Sequence, residues 1–363
     1  MKVHLLKSPE LPINTFETIC DYISSFDGDI QYVYHEYQNT QETIEVENDE
    51  LHFKLIGENF EPKSDIDNEP FFDKCDEYRN QYNIPQNELV ILLTQLRNDN
   101  NYFGYVNRTM NNVFIQTSNW GGILGEEFED QLPISYEIAV WTLRHLLFKV
   151  RGEMISSINH ISIGCVMDMC KDKKEVSLKM RTGDISQNVM ELIQKKNIKP
   201  SYLNQLIKVF EKIRTGLLYR ERCQILNNPS RLHLKDLKKK WRLVLVDFGD
   251  VILNFEFTHM TVYMLFLKHP EGFELRDIDN YRKDIEEIYR FICPTSKSES
   301  IIEKTVLNLS SIENSPYLNG IISKTNTELR NKIPSSIIDD YLIQGERGGS
   351  YKVNLNRDLV DLN

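Results

Sequence analysis

The 363-residue chain has no apolar run approaching the roughly 18 residues that a membrane-spanning helix needs. Its start, MKVHLLKSPELP, lacks the apolar core of a signal peptide. The expectation is a cytoplasmic protein that engages no membrane. Cysteine is scarce, and the six thiols, Cys20, Cys75, Cys165, Cys170, Cys223 and Cys293, are too scattered for a disulfide scaffold. Catalytic motifs are missing as well. There is no His-Glu-x-x-His to hold zinc on one helical face, no Gly-x-Ser-x-Gly nucleophile elbow and no Gly-rich phosphate loop ending in Gly-Lys-Ser/Thr. Each absence removes the residue pattern on which a common hydrolytic or nucleotide chemistry is built. Internal repeats and low-complexity tracts are also lacking.

What is present is ordinary in amount and uneven in distribution. An apolar fraction of 40% and a charged fraction of 27% suit a globular chain, and the length suggests two or three domains. The formal charge of -11 sits at the front: residues 1 to 90 hold 6 Lys/Arg against 20 Asp/Glu, whereas residues 231 to 363 hold 19 against 20. The front therefore repels nucleic acid and membrane phosphates, and its many carboxylates read as a solvated face; any DNA contact belongs to the rear.

Hydropathy patterning gives a mixed chain. KVHLL, PINTFETICDYISSF and IQYVYHEY read as strand, helix, strand, and TIEVENDELHFKLIG (residues 43 to 57) reads as a hairpin. FFDKCDEYRNQYN is a short helix leading into ELVILLTQL, an apolar run typical of a buried strand. YFGYVNRTMNNVFIQTS makes two strands meeting at an Asn-Asn turn. Pro133 then opens an amphipathic helix, ISYEIAVWTLRHLLFKV, in which His145 is read as a core-edge histidine. A helix near 185 to 196 and a long basic helix from about 200 to 222, read as a connector, follow. In the rear, WRLVLVDFGDVILNF gives two strands. The helices HMTVYMLFLKH, LRDIDNYRKDIEEIYRFI and YLNGIISKTNTELRNKI come next, then a hairpin YLIQG-ERGGS-YKVNL.

Residues 1 to about 195 resemble the archaemetzincin family of zinc metalloproteases. The matches are RNQYN (Arg79 to Asn83), the span from VILLTQLRNDNNYFGYV to VFIQTSNW, and Cys165-Val166-Met167. That family's metal sequence is His-Glu-x-x-His-x-x-Gly-x-x-His-Cys, followed after four residues by Cys-x-Met. Aligned without gaps on Cys165, its metal and base positions fall on Lys149, Val150, Glu153 and Asn159, with Ser156 at the glycine and His160 at the first cysteine. Lysine is a cation and valine has no donor atom, so the resemblance implies a zincin-like domain without its catalytic zinc. His160, Cys165 and Cys170 remain as soft donors for a structural zinc, with Asp168 or a distant residue as a fourth ligand; the alternative is that Cys165 and Met167 are buried apolar residues.

Residues 241 to 356 resemble the winged helix-turn-helix effector domains of bacterial response regulators: a short antiparallel sheet, three helices and a hairpin wing. The resemblance places a recognition helix at NGIISKTNTELRNKI, where Lys324, Asn326, Thr327, Arg330 and Lys332 supply donors to DNA, joined by Arg347 and Lys352 on the wing. The basic run Lys238-Lys239-Lys240 reads as a solvated strand entrance. A winged helix also docks proteins, for which no basic face is needed.

The expectation is thus an α+β chain: a degenerate zincin-like α/β domain at 1 to 198, a helical connector at 199 to 230 and a winged helix at 231 to 363. Its function is a non-catalytic, bacterial, two-domain regulator. The front senses or binds a peptide or protein, and the rear contacts DNA. Two alternatives stand beside it, an interaction scaffold whose winged helix docks a partner, and a metal-dependent hydrolase with a site rearranged around His145, His160, Cys165 and Asp168.

Overall fold

The structure is a computed structural model. It describes residues 1–35, 68–98, 100, 102–124, 131–170, 172–237, 240–293, 298–311, 315–346 and 348–362, apart from the side chains of 224 and 315. The hairpin expected at 43 to 57, Lys238, Lys239 and Arg347 lie outside the described residues. The chain is mixed α and β, and its described residues divide into two compact units, one of those up to 214 and one of those from 215 onward. Among the described residues no helix is long and apolar enough to cross a membrane.

The first unit is built on a five-stranded sheet. β1 (Lys2–Lys7), β2 (Gln31–Val33), β3 (Leu89–Thr94), β4 (Gly104–Val106) and β5 (Asn112–Gln116) lie in the order β2-β1-β3-β5-β4. Four strands run parallel, and β4 turns back antiparallel along β5 at the edge. β3 has a strand on either side and is covered on both faces. Its sequence, LVILLT, is therefore apolar without alternation, and all of it is buried.

Side-chain parity divides the sheet into two faces. Leu6, Val90, Leu92 and Phe114 pack with Phe72, Cys75 and Tyr78 of helix α2 (Glu69–Tyr82). The alternate residues Ile91, Leu93, Val113 and Ile115 serve the other face, where α1 (Ile13–Ser24) packs against the helix that follows α3 (Trp120–Leu124), α4 (Leu132–Leu147). Gly104, opposite Ile115 in β4, lies on that second face. A Cβ there would stand 2.7 Å from the Phe114 carbonyl and 2.8 Å from Trp141 Nε1, so only glycine lets the edge strand close on α4.

Arg79, in the segment that resembles the metalloprotease family, is buried and acts as a fastener. Its guanidinium donates to Asn112 Oδ1 at 2.6 Å, to the Pro85 carbonyl at 2.9 Å, to the Glu88 carbonyl at 2.7 Å and to the Asn111 carbonyl. One side chain thus ties α2 to the turns that precede β3 and β5. Hydrogen bonds to a charged donor contribute about 1.5–3 kcal/mol each, enough to offset burial of the cation.

α4 leads through an extended link to α5 (Arg151–Ser157); α6 (Glu175–Thr182), α7 (Gln187–Lys195) and α8 (Pro200–Leu226) complete the helical part. The expected connector is α8, but its residues do not form a separate spacer. Gln205 donates to the carbonyls of Phe26 and Ile30 and accepts from the Ile30 N–H, and Phe210 packs on Tyr136, all within the first unit. From Thr215 onward the helix belongs to the second unit, where Tyr219 and Arg220 stand against the Phe248 ring. The buried stripe Leu206, Val209, Phe210, Ile213 and Leu217 explains why a helix read from its charges as a linker is absorbed into cores.

The second unit has two small sheets around a buried helix. β6 (Leu232–Asp236), β7 (Trp241–Leu245) and β8 (Val251–Ile252) form an antiparallel meander, and the terminal β12 (Val360–Asp361) adds parallel to β6. Helix α9 (Phe257–Lys268) is buried almost all round. β9 (Phe273–Glu274) and a 3₁₀ turn lead into α10 (Arg282–Ile292). Next come α11 (Glu299–Leu309), α12 (Ser315–Lys332), the short α13 (Ile338–Tyr341) and the hairpin β10 (Ile343–Gln344) with β11 (Ser350–Val353), whose far strand pairs with β9. Three helices were expected before the hairpin, and α11 is an addition. Its buried Ile302, Val306 and Leu309 stand at i, i+4 and i+7, a spacing legible in the sequence. Two buried tyrosines tie the unit together: Tyr263 donates to the Tyr341 carbonyl at 2.9 Å, and Tyr341 donates to the Ser230 carbonyl at 2.6 Å.

Candidate functional site

The Cys-Val-Met segment of the first unit is a turn held by one carboxylate. Asp168 is buried, and its Oδ2 accepts from the N–H groups of Ile163, Gly164 and Cys165 at 2.9, 2.7 and 2.9 Å; Oδ1 accepts from Asn159 Nδ2 at 2.9 Å. Gly164 has φ +83°, and a Cβ on it would meet Thr182 at 2.9 Å. Asp168 thus spends its acceptors on three backbone N–H groups and the Asn159 amide and leaves little for a metal.

The expected zinc donors are not brought together. His160 is exposed, whereas Cys165 is buried, with Sγ 3.5 Å from Ser186 Oγ and accepting from the Met167 N–H at 3.4 Å. Cys170 is half-buried beside Ser162, and burial pushes its thiol pKa up, away from the thiolate a metal needs. Among the described residues no group of three His, Cys, Asp or Glu side chains is placed to hold a metal ion. The turn that Asp168 imposes is the reason: it directs Cys165 and Met167 into the core and leaves His160 outside.

The positions aligned with the metalloprotease motif are also separated. Lys149 and Val150 are exposed in the extended link before α5, so they share no helical face with Glu153. Glu153 accepts from Lys196 at 2.5 Å, and this contact holds its carboxyl below the ordinary range. His145 is buried, its Nδ1 2.7 Å from the Met110 carbonyl and its Nε2 3.3 Å from the Asn87 carbonyl. Burial holds its pKa below the ordinary 6.5, the state of a core histidine. His145, His160, Cys165 and Asp168 therefore form no rearranged hydrolase site.

Sequence reasoning missed a buried charge cluster in this unit. Lys179 and Glu137 pair at 3.2 Å with both side chains buried, and Arg144 lies 4.5 Å over Trp141 while donating to the Asp168 carbonyl. The signal available was the interruption of the apolar α4 pattern by Glu137 and Arg144.

In the second unit α12 is amphipathic. Leu318, Ile321, Ile322, Thr325 and Leu329 are buried, and Tyr317, Asn319, Gly320, Ser323, Lys324, Thr327, Arg330 and Asn331 are exposed. The exposed set forms one face along the whole helix. Lys324, Thr327 and Arg330 of the expected DNA donors stand on it, and neither Lys324 nor Arg330 has a carboxylate within ion-pair distance among the described residues. Lys332 is half-buried at the helix end, where a cation also complements the helix dipole. Lys352 is exposed on β11.

Asn326 is not part of that face. Its side chain donates to the Ile343 carbonyl at 2.9 Å and accepts from the Ile343 N–H at 3.0 Å, standing in for a neighbouring strand on β10. Glu328 also turns inward, accepting from the Asn254 N–H at 2.9 Å, so its charge is withdrawn from the exposed face. His259 stands near Lys324, and burial keeps its pKa below the ordinary value. Tyr317 and Asn319 share the exposed face, although sequence reasoning stopped short of them; Asn319 stands four residues before Ser323 and seven before Asn326, a spacing that is ambiguous without knowing which stripe is buried.

No protein-family model, curated protein or solved structure matches the chain.

Proposed function

We propose that the chain is a non-catalytic regulator whose second unit is a winged helix that contacts duplex DNA, and whose first unit is a zincin-like frame that has lost its metal and serves for binding. The observation that carries the DNA reading is the exposed polar face of α12, where Lys324 and Arg330 have no ion-pair partner among the described residues while Glu328 is withdrawn and Asn326 fixes the hairpin beside it. A helix with open Gly320, Ser323 and Thr327 along its outer face allows close approach to a groove, and the cations supply phosphate or base-edge donors. For the first unit, the reading is supported by a buried strand β3 beside the β4–β5 edge pair, with the Cys-Val-Met turn beyond α4.

The second unit carries nearly equal numbers of cations and carboxylates, so the electrostatic part of binding is small and falls with salt. The test is a salt series with the full chain on mixed-sequence duplex DNA. Lys324→Gln and Arg330→Gln are each expected to weaken binding and to lower the log–log salt slope by about 1. Binding that is absent at low salt, or unchanged in both variants, would refute DNA contact and leave protein docking as the use of α12.

A further inference from the structure

Helix α4 carries Glu137, Trp141 and Arg144 on one face, at i, i+4 and i+7, and all three are buried. Arg144 has 6% of its surface exposed, so a guanidinium that cannot shed its proton is held almost wholly away from water. Its guanidinium carbon lies 4.5 Å from the Trp141 ring centroid, and Nη2 donates to the Asp168 carbonyl at 3.2 Å. Among the described residues that carbonyl is the one acceptor it reaches, Nε has no partner, and no carboxylate lies within ion-pair distance. Trp141 Nε1, set against Gly104 of the β4 edge, is also buried without an acceptor among the described residues.

The acids around Arg144 are committed elsewhere. Glu137 is the negative charge that acts on it most strongly, but its carboxylate pairs with Lys179 at 3.2 Å. Asp168 presents its carbonyl to Arg144, because its carboxylate accepts from three backbone N–H groups and the Asn159 amide. Tyr136 and Cys170 stand near as well; burial pushes both pKa values up, so both stay protonated and supply no anion. Burying a cation with one hydrogen bond is costly, and stacking on Trp141 offsets only part of that cost. An anion brought by a ligand offsets more, through charge-assisted bonds to the open donors.

We propose that Arg144, with the Trp141 indole N–H as a second donor, binds the carboxylate of a ligand of the first unit. A carboxylate matches the planar guanidinium fork with a single charge, whereas Glu137 on the same helix face repels the second charge of a sulfate or phosphate dianion. The proposal rests on the reading of the first unit as a binding frame and names the chemistry that frame recognises; the DNA reading plays no part in it.

The experiment is a calorimetric titration of the full chain with acetate, N-acetylleucine and N-acetylleucinamide. Both carboxylates are expected to bind, and the amide, which keeps the shape of N-acetylleucine without its charge, at least about tenfold more weakly than the acid. Equal affinity for acetate and N-acetylleucine assigns the site to small organic acids, and tighter binding of N-acetylleucine assigns it to a peptide C-terminus. Arg144→Met should weaken carboxylate binding by at least about thirtyfold, the loss that follows truncation of one partner of a buried charge pair. The same change should leave the urea midpoint of the unliganded chain unchanged or raised, because it removes a buried charge that has no counter-charge beside it. Arg144→Lys keeps the charge without the fork and should retain weakened binding, and Trp141→Phe, which loses only the N–H donor, should bind about fivefold to tenfold more weakly. Acid and amide binding alike, or carboxylate binding undiminished by Arg144→Met, would overturn the carboxylate site and keep the first unit as a binding frame of other chemistry. Absence of binding by all three probes at tens of millimolar would overturn the site together with the use of this face of α4 for ligands.

Discussion

Replacing Asn326 by alanine separates a structural role from a DNA-contact role. Ile343 faces Val353 across the hairpin, yet its N–H and C=O are directed to the Asn326 amide. Alanine leaves both backbone groups without partners in a buried stretch. Each unmade bond costs about 1–3 kcal/mol, and partial access of water lowers the sum to about 2–4 kcal/mol. One factor of ten corresponds to about 1.4 kcal/mol, so amide exchange in the peptide spanning Ile343 should accelerate by roughly 30-fold to 1000-fold wherever exchange proceeds by opening of β10. Hydrogen–deuterium exchange read by mass spectrometry measures this directly, and a lower urea midpoint for the second unit should accompany it. Asn326→Asp should restore only part of the loss, because a carboxylate accepts from the Ile343 N–H but repels its carbonyl. Unchanged exchange and stability together with lost DNA binding would refute the reasoning and return Asn326 to the exposed face.

Glu137→Gln leaves Lys179 buried without its carboxylate and should destabilise the first unit by about 3–5 kcal/mol, whereas the double change Glu137→Leu with Lys179→Met should recover most of that loss; equal urea midpoints for wild type and Glu137→Gln would show that the pair is not needed. His145 gives a pH dependence of fixed sign. Its folded pKa is held below 6.5 by burial, so the unfolded chain gains the proton first, and stability present above pH 6.5 is lost as pH falls through the folded value. A urea-midpoint series from pH 7.5 to pH 5 should show a decline that His145→Gln makes shallower, and a decline of equal steepness in both proteins would contradict this account.

The sequence by itself determined the elements whose signal is local. LVILLT announces a strand buried on both faces, Pro133 announces the start of a helix, and the Gly-rich ERGGS segment announces a tight return between two strands; each depends on periodicity or backbone preference within a few residues. That Lys149 and Val150 offer no ligand atom for a metal was equally legible, since it follows from side-chain type alone. Tertiary structure decided which side of an element faces inward and which polar groups meet. Asn326 and Thr327 are neighbours of similar chemistry, but one clamps Ile343 and the other faces solvent. Asp168 and Cys165 look like ligands in sequence and are a turn clamp and a core residue in space. Lys173 and Lys174 are identical in type and adjacent, yet Lys173 is half-buried against Phe103, some 70 residues earlier in the chain, and Lys174 is exposed. Burial and charge environment depend on residues distant in sequence, and in a single chain read alone no local pattern records them.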